Sequence, residues 1–153
     1  MTWLQDPKRQ TRRRSKRQRQ MQRGAAAVEF ALILPILLAL LVGGIDASLA
    51  LYDKAVITNA SREGARAGIV ARNPLLTDEQ IRQVVRQYAQ SALVSFGASP
   101  VQPTVLIRKG SLGGDPTLQV TVSYTFQGIG LGSLFQSLGR PWVLQASTVM
   151  VYE

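Results

Sequence analysis

A chain of 153 residues with a formal charge of +9, no Cys and no His has room for one small domain plus an appendage, not for a large multidomain enzyme. The missing residue types exclude thiol nucleophiles, imidazole bases, disulfides and the commonest transition-metal ligands. The charge is concentrated in one place: residues 1–24 carry nine Lys or Arg against Asp6 alone, whereas residues 25–153 carry nine basic and eight acidic residues.

A basic N-terminal segment has three readings. It is an arm for nucleic-acid phosphates, a solvated linker, or the cytoplasmic flank of a membrane span. Only Trp3 is available there for base stacking, so no nucleic-acid partner is expected. The adjoining segment decides for the flank. Ala25 to Ile45 reads AAAVEFALILPILLALLVGGI, twenty-one residues with Glu29 as their only charge. As a helix rising ~1.5 Å per residue it covers about 32 Å, against a hydrocarbon core of roughly 30 Å. A Lys/Arg cluster directly before such a helix stays in the cytoplasm, which places the C-terminal body outside and the chain in the inner (cytoplasmic) membrane as a single-pass protein, in contact with membrane lipid. A secretory signal has a shorter apolar region followed by small residues, and here Ala25, Ala26 and Ala27 come first. A conventional cut near Ala47 or Ala50 is the competing expectation.

Glu29 is the anomaly in this helix, because a carboxylate inside an apolar span is costly. It either snorkels to the interface or remains protonated, or it belongs to a unit formed by Arg23, Gly24, Ala25, Ala26, Ala27, Val28, Glu29 and Phe30. A cut between Gly24 and Ala25 would create a cationic amine four residues before Glu29, on the same helical face or within reach of a neighbouring subunit's carboxylate. In low dielectric a lone charge is penalised and a pair is favoured, so the pair would set the register of stacked subunits.

From Asp46 the helical signal continues as an amphipathic stretch to about Arg72, with Pro35 and Gly43-Gly44 as kink points. A continuous helix from Ala25 to Arg72 would extend about 72 Å. Ala60, Gly64 and Gly68 form a small-residue stripe that packs either against the chain's own domain, the favoured reading, or against another subunit's helix. Arg62 and Arg66 repel at i,i+4 and point to solvent or lipid headgroups. Asn73-Pro74 ends the helix.

Thr77 and Gln80 form a capping box that opens a second helix, with Ile81, Val84, Val85, Tyr88, Ala92, Leu93 and Phe96 as its apolar face and Gly97 as its C-terminal cap. Tyr88 is expected in the core. Beyond Pro100 the period drops to 2. Val105–Lys109 reads as a short strand, residues 110–116 as its turn, Leu118 to Gln127 as a half-buried strand, and Val143–Tyr152 as a third. Between the last two lies GIGLGSLFQSLGRP (128–141), either a lid over the sheet or an exposed apolar patch for a partner or the membrane surface. Its glycines lack a dinucleotide-binding context, and the carboxylates Asp46, Asp53, Glu63, Asp78, Glu79, Asp115 and Glu153 form no catalytic or metal-binding pattern. The fold class is α+β: a long N-terminal helix packed on a small antiparallel three-stranded sheet, with a second helix.

The opening RGAAAVEFALILP, the run Asn59-Ala-Ser-Arg-Glu-Gly-Ala-Arg-Ala67 and the closing stretch Ala146–Glu153 together resemble type IV prepilins, and more narrowly the TadE-like pseudopilins of the tight-adherence (Flp) pilus system. The likeness is strong over 22–72 and modest at the C-terminus, where Val151 stands in place of the family's usual basic residue. The resemblance implies a pilin-like fold divided into a cytoplasmic leader (1–24), a transmembrane helix (25–45) and an extracytoplasmic domain (46–153). It implies cleavage after Gly24 by a membrane-embedded prepilin peptidase, with Gly24, Ala25, Glu29 and Phe30 at the processing site. It further implies other pilin and pseudopilin subunits as partners, no cofactor and no enzymatic activity, in a minor component or assembly factor of an adhesive filament. The alternative is an uncleaved, signal-anchored periplasmic binding or adaptor protein with the same topology.

Overall fold

The computed structural model describes residues 7–70, 74–96, 101–130, 133–134 and 137–152, with side chains from Gly24 onward. The expectations for the first six residues, for the stretch through Arg72 and Asn73 and for Glu153 lie outside the described residues. The chain divides into two compact units, Met1–Leu41 and Val42–Glu153. One helix, α1 (Pro7–Ile69), belongs to both. Its first residue is a proline, whose fixed φ and missing N–H suit a helix start.

From Gly24 to Leu41, Glu29 apart, α1 is apolar on every side. Val28, Phe30, Leu32, Ile33, Ile36, Leu37, Leu38, Leu40 and Leu41 are each at least half exposed. From Gly24 on, the helix is long and apolar enough to cross a membrane. The backbone is helical through Pro35 and through Gly43-Gly44.

In the second unit the pattern becomes one-sided. The remainder of α1, together with α2 (Asp78–Gln90), packs on a meander of β1 (Thr104–Leu112), β2 (Asp115–Thr125) and β3 (Val143–Val151), with β2 in the middle. The architecture is α+β, a long N-terminal helix and a second helix on a three-stranded antiparallel sheet. Leu118, Val120, Val122 and Tyr124 line the helix-facing side of β2, and Phe126 continues that side just past its end. They meet Ala50, Ile57, Ala60 and Ala65 of α1, Ile81, Val85 and Ala89 of α2, and Val105, Leu144 and Ala146 of the outer strands. The other face of the sheet is mixed, with exposed Leu106, Val143, Val149 and Val151 beside a polar centre. There Gln119 Nε2 donates to Ser147 Oγ at 2.9 Å, and the Thr121 and Ser147 hydroxyls lie 3.0 Å apart.

Three local features differ from the sequence expectation. The hairpin turn is two residues, not seven: Gly113 and Gly114 both have positive φ (65° and 103°), the requirement of a tight turn that follows the strand twist, so β1 runs on to Leu112. Helix α2 stops at Gln90 and is capped by Ser91, not by Gly97, because the chain must turn there to bring Val94 to α1. Ala92, Leu93 and Phe96 are therefore outside the helix. Tyr88 is 40% exposed and Ala89 takes the buried position, since the i,i+4 row from Ile81 runs through Val85 to Ala89. The Thr77–Gln80 capping box is present in both directions.

Glycine sets how closely α1 approaches. A Cβ on Gly64 would overlap a Val85 methyl, and one on Gly68 would overlap a Leu118 methyl and come within 2.8 Å of Ile81 Cδ1. These neighbours are fully buried core side chains with no space to move into. Gly68→Ala is expected to lower stability by about 1–3 kcal/mol through overpacking, offset by up to ~1 kcal/mol of helix propensity. Gly44→Ala, where a Cβ meets nothing within 4 Å, is expected to be neutral or mildly stabilising. Thermal unfolding of the two full-length variants in one detergent, followed by circular dichroism, checks the pair.

Candidate functional site

Gly24, Ala25, Glu29 and Phe30 all lie on α1 with exposed side chains, Phe30 at 60%. Helical geometry sets Ala25 and Glu29 one turn apart on one face. A Cβ added at Gly24 meets nothing within 4 Å, so the fold does not demand glycine there. Pro35 is exposed within the same apolar stretch. The structure does not bring this group together with Ala60, Gly64 and Gly68, which are buried against the core of their own domain.

Two carboxylates, seven residues apart on α1, form a feature that charge patterning in the sequence does not reveal. Asp46 and Asp53 are both 0% exposed. Asp46 Oδ1 accepts from Ile129 N–H at 2.8 Å and its Oδ2 from Gly130 N–H at 3.1 Å. The approach is tight enough that a Cβ on Gly128 would come within 2.6 Å of Oδ2. Asp53 Oδ1 accepts from Val94 N–H at 3.0 Å, while its Oδ2 has no hydrogen-bond partner among the described residues. Each carboxylate thus ties α1 to the loop that leaves a different element, α2 for Asp53 and β2 for Asp46. The available signal is their i,i+7 spacing in a stripe of otherwise small and apolar residues, Ala50, Ile57, Ala60 and Gly64.

The surroundings of Asp53 are closed by the 91–96 loop. Tyr124 Oη donates to the Val94 carbonyl at 3.4 Å, Ser95 Oγ donates to Gln127 Oε1 at 2.7 Å, and Phe96 N–H to Gln127 O at 3.3 Å. Burial pushes the Asp53 carboxyl above its ordinary value, with the Val94 N–H opposing the shift. Burial likewise raises the Tyr124 hydroxyl.

Further bonds fasten α1 to β3. Lys54 Nζ donates to the Gln145 carbonyl, and Ser61 and Thr148 hydroxyls meet at 2.7 Å. Beside them lies an apolar groove of about 430 Å³, lined by Ala47, Ala50, Leu51, Trp142, Val143 and Leu144. A second cleft, of about 530 Å³, lies between α2 and the start of β1 and holds Arg82 and Arg86, both engaged by Glu79 at 3.1 and 3.3 Å. Among the described residues no group of His, Cys, Asp or Glu is placed to hold a metal ion.

Residues 24–66 match the family model described as TadE-like protein. No curated protein and no solved structure matches the chain. The matched segment contains Gly24, Glu29, Pro35, both buried aspartates and the first two residues of the small stripe, and it is consistent with a TadE-like protein of the tight-adherence pilus system. It supports a pilus-associated role, among proteins that are structural and that interact with other pilus components.

Because the folded state holds the Asp53 proton more tightly than the unfolded chain does, this group contributes most to stability at acid pH. That contribution falls as pH rises from 3.8 through the raised folded value. Asp53→Asn keeps an acceptor for Val94 and removes the titration, so it is expected to flatten this part of the stability–pH profile without lowering the midpoint at neutral pH. Asp53→Ala leaves the Val94 N–H unpaired and is expected to cost about 1–3 kcal/mol at all pH values. Thermal melts of the full chain from pH 4 to pH 8 check both.

Proposed function

We propose that this chain is a minor pilin or pseudopilin that acts in the assembly of an adhesive tight-adherence pilus and is processed by prepilin peptidase between Gly24 and Ala25. The observation that carries the reading is the TadE-like match, which starts at Gly24 and continues to Arg66. The domain division accords with it: a basic leader (1–24) on the cytoplasmic side, a spanning helix (25–45) in the inner membrane, and an extracytoplasmic body (46–153). The exposed apolar surface of α1 before Leu41 suits lipid, and the separately cored unit from Val42 suits water.

In this reading Gly24 and Glu29 are recognised by the peptidase, and Phe30 sits beside them on the substrate helix. Cleavage leaves a cationic amine at Ala25, one turn before Glu29. Within the bilayer the amine and carboxylate favour each other strongly, whether in one subunit or between neighbours, and the pairing fixes axial register as subunits add. The chain contributes surface and register rather than chemistry, and its partners are the peptidase, other pilin and pseudopilin subunits and membrane lipid.

Glycine at position 24 is free of packing demands, so processing can be separated from folding. Mass spectrometry of the protein purified from peptidase-positive cells is expected to give an N-terminus at Ala25, and from peptidase-deficient cells an uncleaved leader. Gly24→Ala is expected to retain the leader with an unchanged melting profile. An intact leader in peptidase-positive cells would sink the processed-pilin reading in favour of an uncleaved anchored protein. An N-terminus near Asp46 would mean an ordinary secretory signal.

A further inference from the structure

Helix α2 carries two parallel rows. Ile81, Val85 and Ala89 form the buried one, and one position further on Arg82, Arg86 and Gln90 repeat at the same i,i+4 spacing. The second row borders the cleft between α2 and the start of β1. Two guanidinium groups one helical turn apart repel each other, so their pairing in a concavity has an electrostatic cost. Glu79 offsets part of it. Its Oε2 accepts from Arg82 Nη1 at 3.1 Å and its Oε1 from Arg86 Nη1 at 3.3 Å. Each guanidinium has five N–H donors, and Glu79 takes one from each. The Glu79 side chain is 68% exposed, so this is a surface ion pair and a weak one. No acidic side chain lines the cleft among the described residues.

The walls are fixed in place. The buried row of α2 sits in the core, which holds the arginine row at the cleft. Gln90 Nε2 donates to Gln102 Oε1 at 2.7 Å, tying the end of α2 to the lead-in of β1. Pro103 and Val105 are buried and form an apolar floor, while Thr104 is exposed between them. The volume, about 530 Å³, lies within the range of small-molecule sites, roughly 300–1,000 Å³.

We propose that this cleft binds an acidic saccharide, a sugar ring bearing a carboxylate or a phosphate, with the oxyanion held between Arg82 and Arg86. Glu79 already shows that the two guanidinium groups converge on one carboxylate, its two oxygens bridging their Nη1 atoms. The donors left over form planar forks that match carboxylate and phosphate oxygens. A bare oxyanion would occupy only part of the volume. The rest is bounded by the side chains of Gln90, Gln102 and Thr104, uncharged donors and acceptors suited to hydroxyl groups. Below them Pro103 and Val105 offer an apolar surface to the C–H groups of a ring. No aromatic side chain lines the cleft among the described residues, which disfavours a nucleotide base seeking a stacking partner. An incoming acidic sugar displaces Glu79 or takes the donors Glu79 leaves free. The site lies wholly within the Val42–Glu153 unit, so it stands whether or not the chain is cut after Gly24.

The test titrates the full chain, in a nonionic polyoxyethylene detergent at low salt, with glucuronate, glucose 6-phosphate, glucose and inorganic phosphate, read by isothermal calorimetry. Glucuronate and glucose 6-phosphate are expected to bind saturably and glucose not at all. Inorganic phosphate is expected to bind about tenfold more weakly than glucose 6-phosphate, for want of the hydroxyl contacts. Arg82→Gln and Arg86→Gln are each expected to weaken binding about tenfold with an unchanged melting profile. Arg86→Lys keeps the charge but loses the fork, and is expected to weaken binding as well. Glu79→Gln frees both guanidinium groups and is expected to tighten binding roughly two- to five-fold. Arg108→Gln removes an equal charge from the sheet face turned away from α2 and is expected to change nothing. An equal loss with Arg108→Gln would overturn the site in favour of general charge attraction. Inorganic phosphate binding as tightly as glucose 6-phosphate would overturn the saccharide and leave a bare ion contact. Binding that appears only when phosphatidylglycerol is added to the micelles would overturn it too, making the occupant a lipid headgroup. Absence of saturable binding by both acidic sugars would overturn it outright.

Discussion

One stripe of α1, through Asp46, Ala50, Asp53, Ile57, Ala60, Gly64 and Gly68, is buried, and every other element of the C-terminal domain is placed by reference to it. Its steps are three or four residues, the helical row that can stay against a single partner surface. The far end carries glycines, so that methyl groups of Val85 on α2 and Leu118 on β2 can seat directly on the helix backbone. The near end carries carboxylates, which accept the free N–H groups of two loops. Packing alone could not satisfy those N–H groups, and a buried unpaired donor is expensive enough that a charged acceptor is tolerated in exchange.

The stripe therefore does two kinds of work. Gly64 and Gly68 set the distance between helix and sheet, and Leu118, Val120, Ile81 and Val85 fill it. Asp46 and Asp53 set direction, because a carboxylate accepting a specific backbone N–H fixes a loop more sharply than an apolar contact does. Asp53 is held against its own solvation preference, with one oxygen lacking a hydrogen-bond partner among the described residues. The same helix is apolar on all sides earlier in the chain, where lipid rather than a folded core suits it. One helix thus carries an all-round apolar stretch and a one-sided stretch, and the change is encoded in which of its faces carry apolar side chains.

Much of this is legible in the sequence, and the failures have identifiable causes. The apolar run, the capping box at Thr77 and the alternation of β2 are local patterns of one period, so they read directly. The end of α2 is misplaced by pattern because Leu93 and Phe96 continue the helical spacing, yet the chain is pulled aside at Ser91 to deliver Val94 to Asp53. Spacing alone assigns Tyr88 to the core, although Ala89 lies on the same row as Ile81 and Val85 and needs less room. A seven-residue turn after β1 is an overestimate because Gly110 looks like a break, whereas it pairs with Thr117 and the turn waits for Gly113-Gly114. The buried aspartates escape a reading by pattern since charged residues on a helix ordinarily face water.

The sequence by itself determined what is written in local order: the basic flank, the apolar run with Glu29 near its start, the TadE-like opening, the helix starts and the strand alternation. These depend on residues close in the chain and on periodicity, which folding does not change. Tertiary structure alone decided which side of α1 after Ile45 is inside, that Asp46 and Asp53 are on it, and that the 128–142 connection is fastened at the last turn of the apolar run. Those facts depend on residues some 40 to 80 positions apart meeting in space, as Asp53 meets Val94 and Asp46 meets Ile129 and Gly130. No local pattern carries a pairing of that range, because it is set by how helix, sheet and loops exclude water together.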